Sequence, residues 1–98
     1  MIHTVFFWLK DGLSDEQVTF FESELAKLTS IETVATGAIG KPAPTEKRPV
    51  TDNSFSYHLS LTFDSIGDHN TYQVHADHDA FIGNCKDLWE RVLVYDSE

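Results

Sequence analysis

The sequence predicts a single α+β domain in which helices cover one face of an antiparallel sheet. Strand-like and helix-like segments follow one another in the order β-α-β-β-α-β. The chain has 98 residues, which is enough for one domain over residues 1–98 and no second. Hydrophobic residues make up 41% of the chain and include seven Phe, two Trp and three Tyr. A sheet covered on one face cannot bury all of these side chains, so the other face needs a partner or a cavity.

The first strand and the first helix have the clearest signals. β-branched and aromatic side chains predict a strand over residues 2–9, and the apolar character of nearly every position favours coverage on both faces. Ser14 and Gln17 fit a capping box, in which each side chain satisfies a free backbone N–H group. Apolar residues at helical spacing then predict a helix over residues 15–28.

Two further strands are predicted, with a loop between them. Residues 31–39 return as the second strand. Residues 41–54 contain all three prolines and are expected to form an exposed loop. Residues 55–63 alternate between apolar and polar side chains, which predicts a strand with one core face and one polar face. His58 lies on the polar face of that strand.

The last part of the chain predicts a broken helix and a closing strand. Asp64-Ser65 can cap a helix over residues 66–74, residues 75–78 interrupt it, and a short helix is expected over 79–85. Residues 88–95 end the chain as a strand. This order is that of the ferredoxin-like fold, with a four-stranded antiparallel sheet and helices on one face. Two such sheets packed face to face would form a dimeric α/β barrel, so we expect a homodimer.

Charge and composition exclude several classes of function. The net charge of -9 opposes binding to nucleic acid or to anionic membranes. No apolar run approaches the ~20 residues of a membrane span. The first residues lack the features of a signal peptide. Cys85 is the only cysteine, and we expect it to be a buried small hydrophobe. We therefore expect a cytoplasmic protein.

Several residues carry a resemblance to a known family. They are His3, the pair Tyr57-His58, the run Tyr-x-x-His-x-x-His-x-x-Phe over residues 72–81, and Val-Tyr-Asp over residues 94–96. Together they resemble the stress-responsive A/B barrel (Dabb) family of dimeric α/β-barrel proteins, over nearly the whole chain. Members of that family commonly have Pro directly after the first His of the run, where this chain has Ala76.

The resemblance also implies site residues. Many family members have no assigned activity, but one plant member is a polyketide cyclase that catalyses an aldol condensation without metal or cofactor. By motif, the resemblance makes His78 the base and Tyr72 its assistant. Histidines matching His3 and His58 lie in the pocket of that enzyme, and we add His75 to the residues expected to bind a small hydrophobic substrate.

The chemistry is reasonable for these residue types. Neutral imidazole can take a proton from a carbon beside a carbonyl, and a Tyr hydroxyl can donate to the enolate oxygen. Tyr72 and His75 are three positions apart and share a helix face. Tyr72 and His78 are six apart, so their meeting needs a break in the helix, which we expect at Ala76-Asp77.

Other interpretations of the same residues stay open. His78, between Asp77 and Asp79, is equally consistent with a capping or surface residue. His3 is expected to meet His58 across the strands, and His69 to be exposed. A zinc site at His75 and His78 lacks a convincing third ligand, so no metal site and no cofactor are predicted.

The sequence leaves three functions in competition. The first is a cofactor-independent, polyketide-cyclase-like acid–base enzyme. The second is a non-enzymatic dimeric stress-response module that binds a small ligand or a protein. The third and most distant is a cofactor-free monooxygenase that uses the same barrel.

Overall fold

The computed structural model describes residues 1–98 and confirms the predicted order of strands and helices, with the second helical region divided in two. The elements are β1 (Ile2–Leu9), α1 (Asp15–Lys27), a 3₁₀ turn (Leu28–Ser30), β2 (Thr36–Gly40), β3 (Tyr57–Thr62), α2 (Ile66–Gln73), α3 (Ala76–Cys85) and β4 (Trp89–Ser97).

The four strands form one antiparallel sheet in the order β2-β3-β1-β4. All helices pack on one face, which we call the inner face; the opposite side is the outer face. The predicted ferredoxin-like fold is therefore confirmed. No helix combines the length and the apolar character needed to cross a bilayer.

Helix α1 begins where the sequence predicts. Ser14 accepts a hydrogen bond from the backbone N–H of Gln17, and the Gln17 side chain accepts one from the backbone N–H of Ser14. The capping box thus satisfies backbone donors at the helix start. Phe21 and Leu25 are completely buried against the sheet, as the helical spacing of the apolar residues predicts.

Strand β2 begins five residues later than predicted. Residues 31–35 form a turn, in which the Val34 N–H donates to the Ile31 carbonyl at 2.9 Å. Ile31 is buried and Val34 packs against the core. The apolar side chains of Ile31 and Val34 therefore fill the core from a turn and not from a strand.

The core lies between the inner face and the helices. Inner-face residues alternate along β1 and β3, and helix residues meet them in a cluster of 13 buried side chains. Cys85 is among them, as predicted. Burial raises the pKa of its thiol to about 11, so the thiolate needed for nucleophilic reactions is scarce at neutral pH.

The outer face is only partly covered. Phe6 and Trp8 of β1 are half-buried there, so the predicted coverage of β1 on both faces is incomplete within one chain. Loop residues fold back over one part of this face, where Trp8 Nε1 donates to Ser54 Oγ at 3.0 Å. The outer face has a shallow apolar depression, which is lined by the hydrophobic residues Phe6, Trp8, Phe55, Leu93 and Tyr95.

Candidate functional site

A pocket of about 180 Å³ lies between the inner face of the sheet and the helices. Thirteen residues line it, and ten of them are hydrophobic. The three others are His3, Gln73 and His78. No Lys, Arg, Asp or Glu lines the pocket. The polar side-chain groups among the lining residues are therefore two imidazoles, one amide, the hydroxyl of Tyr72 and the indole N–H of Trp89.

A break between α2 and α3 brings Tyr72 to His78. The ring centroids are 4.9 Å apart, and the ring planes are inclined at 71°. The break lies at Val74-His75, two residues before the predicted position, and His78 belongs to the first turn of α3. Ala76 is the first residue of α3, a position at which Pro is also well tolerated. The departure from the family's Pro therefore leaves the turn in place.

His78 is held as a neutral imidazole. It is half-buried, and its Nδ1 atom is sealed from solvent without a hydrogen-bond partner. Burial lowers the pKa of His78 below its ordinary value of 6.5, because water no longer stabilises the cation. The charge of Asp79 opposes this change in pKa, and His3 and His69 reinforce it. A neutral ring can exchange a proton with a ligand near physiological pH.

Tyr72 is held as a neutral phenol. Its side chain is 1% exposed, and burial raises the pKa of its hydroxyl above the ordinary value of 10. The hydroxyl therefore keeps its proton and can donate a hydrogen bond to an oxygen atom in the pocket.

His3 forms the far end of the same group of rings. Its centroid lies 5.8 Å from that of Tyr72. Its Nδ1 lies 2.5 Å from Oδ1 of Asp96, on the neighbouring strand β4. This contact fixes the orientation of an imidazole that is almost completely buried. The structure thus brings together three of the predicted site residues, His3, Tyr72 and His78.

His75 does not line this pocket, although we expected it to contact a substrate. It is the N-cap of α3, and its Nδ1 accepts a hydrogen bond from the backbone N–H of Asp77 at 3.0 Å. Its Nε2 lies 2.9 Å from Oε2 of Glu32 and donates to it. Both ring nitrogens are thus engaged within the chain, which gives His75 a structural position in place of the predicted one.

His58 also lies away from the pocket. It pairs with Phe6 on the outer face, whereas His3 pairs with Leu61 on the inner face. The predicted meeting of His3 with His58 is therefore wrong, and the sheet separates His58 from Tyr72 and His78. Tyr57 precedes His58 in β3, and its side chain lies on the inner face. The buried hydroxyl of Tyr57 makes no hydrogen bond.

His69 is a neighbour that the sequence analysis missed. It is half-buried, not exposed, and its ring centroid lies 4.9 Å from that of His3. A signal was present, because His69 precedes Tyr72 by three positions and so shares its helix face.

Comparison with known proteins agrees with this architecture. The family model described as "Stress Responsive A/B Barrel Domain" (Dabb) matches residues 1–98. A Dabb family protein with a ferredoxin-like fold from Mesorhizobium loti is 24% identical, with a TM-score of 0.79 over 99% of this chain and 93% of that one. No curated protein matches the sequence.

Two other solved structures share the fold. A dimeric ferredoxin-like protein of unknown function from Thermobifida fusca is 19% identical, with a TM-score of 0.76 over 96% of this chain and 85% of that one. A hydroxynitrile lyase from Passiflora edulis is 19% identical, with a TM-score of 0.79 over 96% of this chain and 87% of that one. From the family match over its whole length, the chain belongs to the stress-responsive A/B barrel domain family.

Proposed function

We propose that this chain is a cofactor-independent acid–base catalyst that acts on a small, uncharged, hydrophobic carbonyl compound. The proposed chemistry is of the aldol type, similar to that of olivetolic acid cyclase, the plant polyketide cyclase of this family. One observation carries the proposal: a neutral imidazole, His78, lies 4.9 Å from the ring of a neutral phenol, Tyr72, in a pocket without charged side chains.

His78 is the proposed base. Its imidazole takes a proton from the carbon beside the carbonyl group and becomes an imidazolium ion. It returns that proton to the alkoxide oxygen when the new carbon–carbon bond has formed, so the ring ends the cycle neutral. A base of this kind contributes most when its pKa lies near the working pH.

Tyr72 is the proposed donor to the enolate oxygen. Because burial raises the pKa of its hydroxyl, the group donates without losing its proton. In an apolar pocket such a hydrogen bond is stronger than in water, since no solvent competes for the oxygen atom. His3, held by Asp96, is proposed to bind the substrate at the other side of Tyr72.

The size and the lining of the pocket limit the substrate. A cavity of about 150 Å³ in another protein holds a benzene ring, so about 180 Å³ suits a single ring or a short chain. Without Lys or Arg in the lining, a carboxylate or phosphate would enter without a partner for its charge. The net charge of -9 opposes anions as well.

The Passiflora edulis enzyme gives limited support. Its name describes a lyase of hydroxynitriles, and at 19% identity the likeness shows the fold alone. It indicates that this architecture can carry an enzyme active site.

We also propose that the protein works as a homodimer, with two outer faces packed against each other. The half-buried Phe6 and Trp8 and the exposed Tyr95 form an apolar surface on this face. The dimeric relative from Thermobifida fusca has the same fold. Burial of the aromatic side chains would supply the favourable free energy of association.

Proton exchange at carbon tests the proposed catalysis without knowledge of the natural substrate. The protein is incubated in D₂O with uncharged ketones of one ring or a short chain, and loss of the signal of the hydrogens beside the carbonyl is followed by NMR. We expect faster exchange than in buffer, and a return to the buffer rate for His78→Ala. His58→Ala is the matched control, because it removes a histidine from the other face of the sheet.

Two results would contradict the proposal. The first is exchange at the buffer rate with every ketone while the ketones bind at the pocket, which would favour the non-enzymatic ligand-binding module. The second is an equal loss of rate in His58→Ala and His78→Ala, which would indicate that the exchange does not take place in this pocket.

A further inference from the structure

Three side chains with metal-binding atoms meet at the edge of the sheet. His3 comes from β1, His69 from α2 and Asp96 from β4. One nitrogen or oxygen atom of each lies within 4.8 Å of the others. From this cluster we propose a binding site for one divalent transition-metal ion of the zinc class. The proposal shares His3 and Asp96 with the substrate-binding role proposed above, but it does not rest on that role, because zinc binding is measured without a ketone.

The donor atoms suit such an ion. Two imidazoles and one carboxylate form a set that zinc prefers, and the other members of the first transition series follow related rules. Zinc bonds of about 2.0–2.2 Å place tetrahedral ligand atoms about 3.3 Å apart. The widest separation in the cluster must therefore shrink by up to about 1.5 Å, whereas His3 Nδ1 and Asp96 Oδ1, 2.5 Å apart, must move apart to admit the ion.

The side chains have the freedom for this approach. The His3 side chain is 4% exposed and serves as the fixed ligand. The Asp96 side chain is 43% exposed, and His69 is half-buried, so both can rotate. Entry of the ion replaces the proton between His3 and Asp96, and that proton leaves to solvent.

Neighbours of His69 orient it as a ligand. Its Nδ1 lies 3.1 Å from Oδ1 of Asn70, which can only accept, so Nδ1 carries the proton. The lone pair is then on Nε2, which accepts a hydrogen bond from the amide nitrogen of Gln73 at 3.3 Å, and an entering ion takes the place of this amide. A hydrogen bond at the non-ligating nitrogen is what metal-binding histidines commonly have.

The site has an open side. A surface cavity of about 350 Å³ is lined by His69, Asn70 and Asp96, and its wall includes the carboxylate-bearing Glu98. The cavity gives the ion a path from solvent and leaves room for a water molecule as the fourth ligand. Ion binding would tie β1, α2 and β4 together at this end of the fold, and the folded state would become more stable.

The experiment uses zinc chloride on the chelator-treated protein, with calorimetric titration and thermal unfolding. We expect one ion per chain and a higher Tm with zinc. His69→Ala and Asp96→Asn should each weaken binding at least tenfold, and circular dichroism checks that both variants fold. Cobalt(II) added to the wild type should show the intense visible bands of a four-coordinate ion.

His58→Ala and His75→Ala are the controls, because both remove a histidine outside the cluster. We expect both variants to bind zinc as the wild type does. A wild type that binds no ion would overturn the proposal. So would His69→Ala that binds as tightly as wild type, or His75→Ala that loses the ion, since the latter would place it beside Glu32.

Discussion

The ring of His78 lies edge-on to the ring of Tyr72, although a continuous helix would turn the two side chains to different faces. The contact between the two rings is possible because a new helix, capped by His75, starts between them in a new direction. A proton acceptor and a proton donor thereby share one apolar pocket.

Tyr72→Phe should lower the rate of ketone proton exchange by about 10²–10³-fold, as loss of one donor to a developing oxyanion commonly does. The ring stays, so packing and Tm should change little. Tyr57→Phe is the control, because it removes another buried hydroxyl, one without a hydrogen-bond partner. NMR exchange rates and thermal unfolding of both variants check this. Unchanged exchange in Tyr72→Phe would contradict the assigned role.

Stability should fall as the solution is acidified below about pH 6.5. Burial lowers the pKa of both His58 and His78 below 6.5, so the unfolded chain binds protons that the folded chain resists. The stability is fully present above the ordinary pKa and is lost as the pH falls through the lowered values. Tm measured from about pH 7.5 to about pH 5 checks the slope. His78→Gln should make the slope shallower; an unaltered slope in that variant would contradict the cause.

Leu93→Glu should convert the protein to a monomer. Leu93 pairs with Phe6 in the sheet and belongs to the apolar depression on the outer face. A carboxylate there would be desolvated in the proposed interface without a partner. Light scattering should give twice the chain mass of 11.1 kDa for the wild type and the single mass for the variant. Val50→Glu places the same charge on an exposed loop position and should stay dimeric. A monomeric wild type would contradict the dimer.

Gly37→Ala should destabilise the fold by about 1–3 kcal/mol, as overpacking does. A Cβ atom at Gly37 would lie 2.8 Å from Cδ2 of Leu61 and 2.9 Å from Cβ of Thr29. Gly40, in the same strand, has no atom within 4 Å of such a Cβ. Chemical denaturation should therefore show little loss for Gly40→Ala. Equal losses of stability in the two variants would indicate that glycine is needed at these positions for its backbone freedom, and not because a Cβ atom at Gly37 would collide with Leu61 and Thr29.

His75→Ala should cost about 1 kcal/mol of stability, the usual effect of losing an N-cap acceptor. His75→Asn should recover most of it, because the amide oxygen can accept from the same backbone N–H of Asp77. Chemical denaturation of the two variants measures the difference. Equal stability of the two would show that the cap bond contributes nothing.

The sequence was sufficient for the fold because its local signals agree with the global arrangement. Three signals each indicate a single type of structure. They are the β-branched and aromatic residues of β1, the capping box at Ser14 and the alternation along β3. The predicted start of β2 was wrong because Ile31 fills the core from a turn, and an apolar, β-branched residue can be buried from a turn as well as from a strand. The start of α3 was predicted at residue 79, three residues too late. Its N-cap is the imidazole of His75, which is not among the side chains that usually mark a helix start.

The site was harder to predict than the fold. The sequence places His58 on the polar face of β3, but only the pairing of His3 with Leu61 shows that His3 lies on the opposite face. Register comes from contacts distant in sequence, so no local pattern reveals it. Tyr72 and His78 came from the resemblance and not from spacing.

The central strand β1 serves both sides of the molecule with alternate residues. His3, Val5 and Phe7 form one wall of the pocket, while Phe6 and Trp8 belong to the outer surface. A shift of the whole strand by one residue against its neighbours would exchange the two sets, moving Phe6 and Trp8 inward and His3 outward. Evolution can therefore vary side chains on either side of β1, but the number of residues in this strand is constrained by both sides at once.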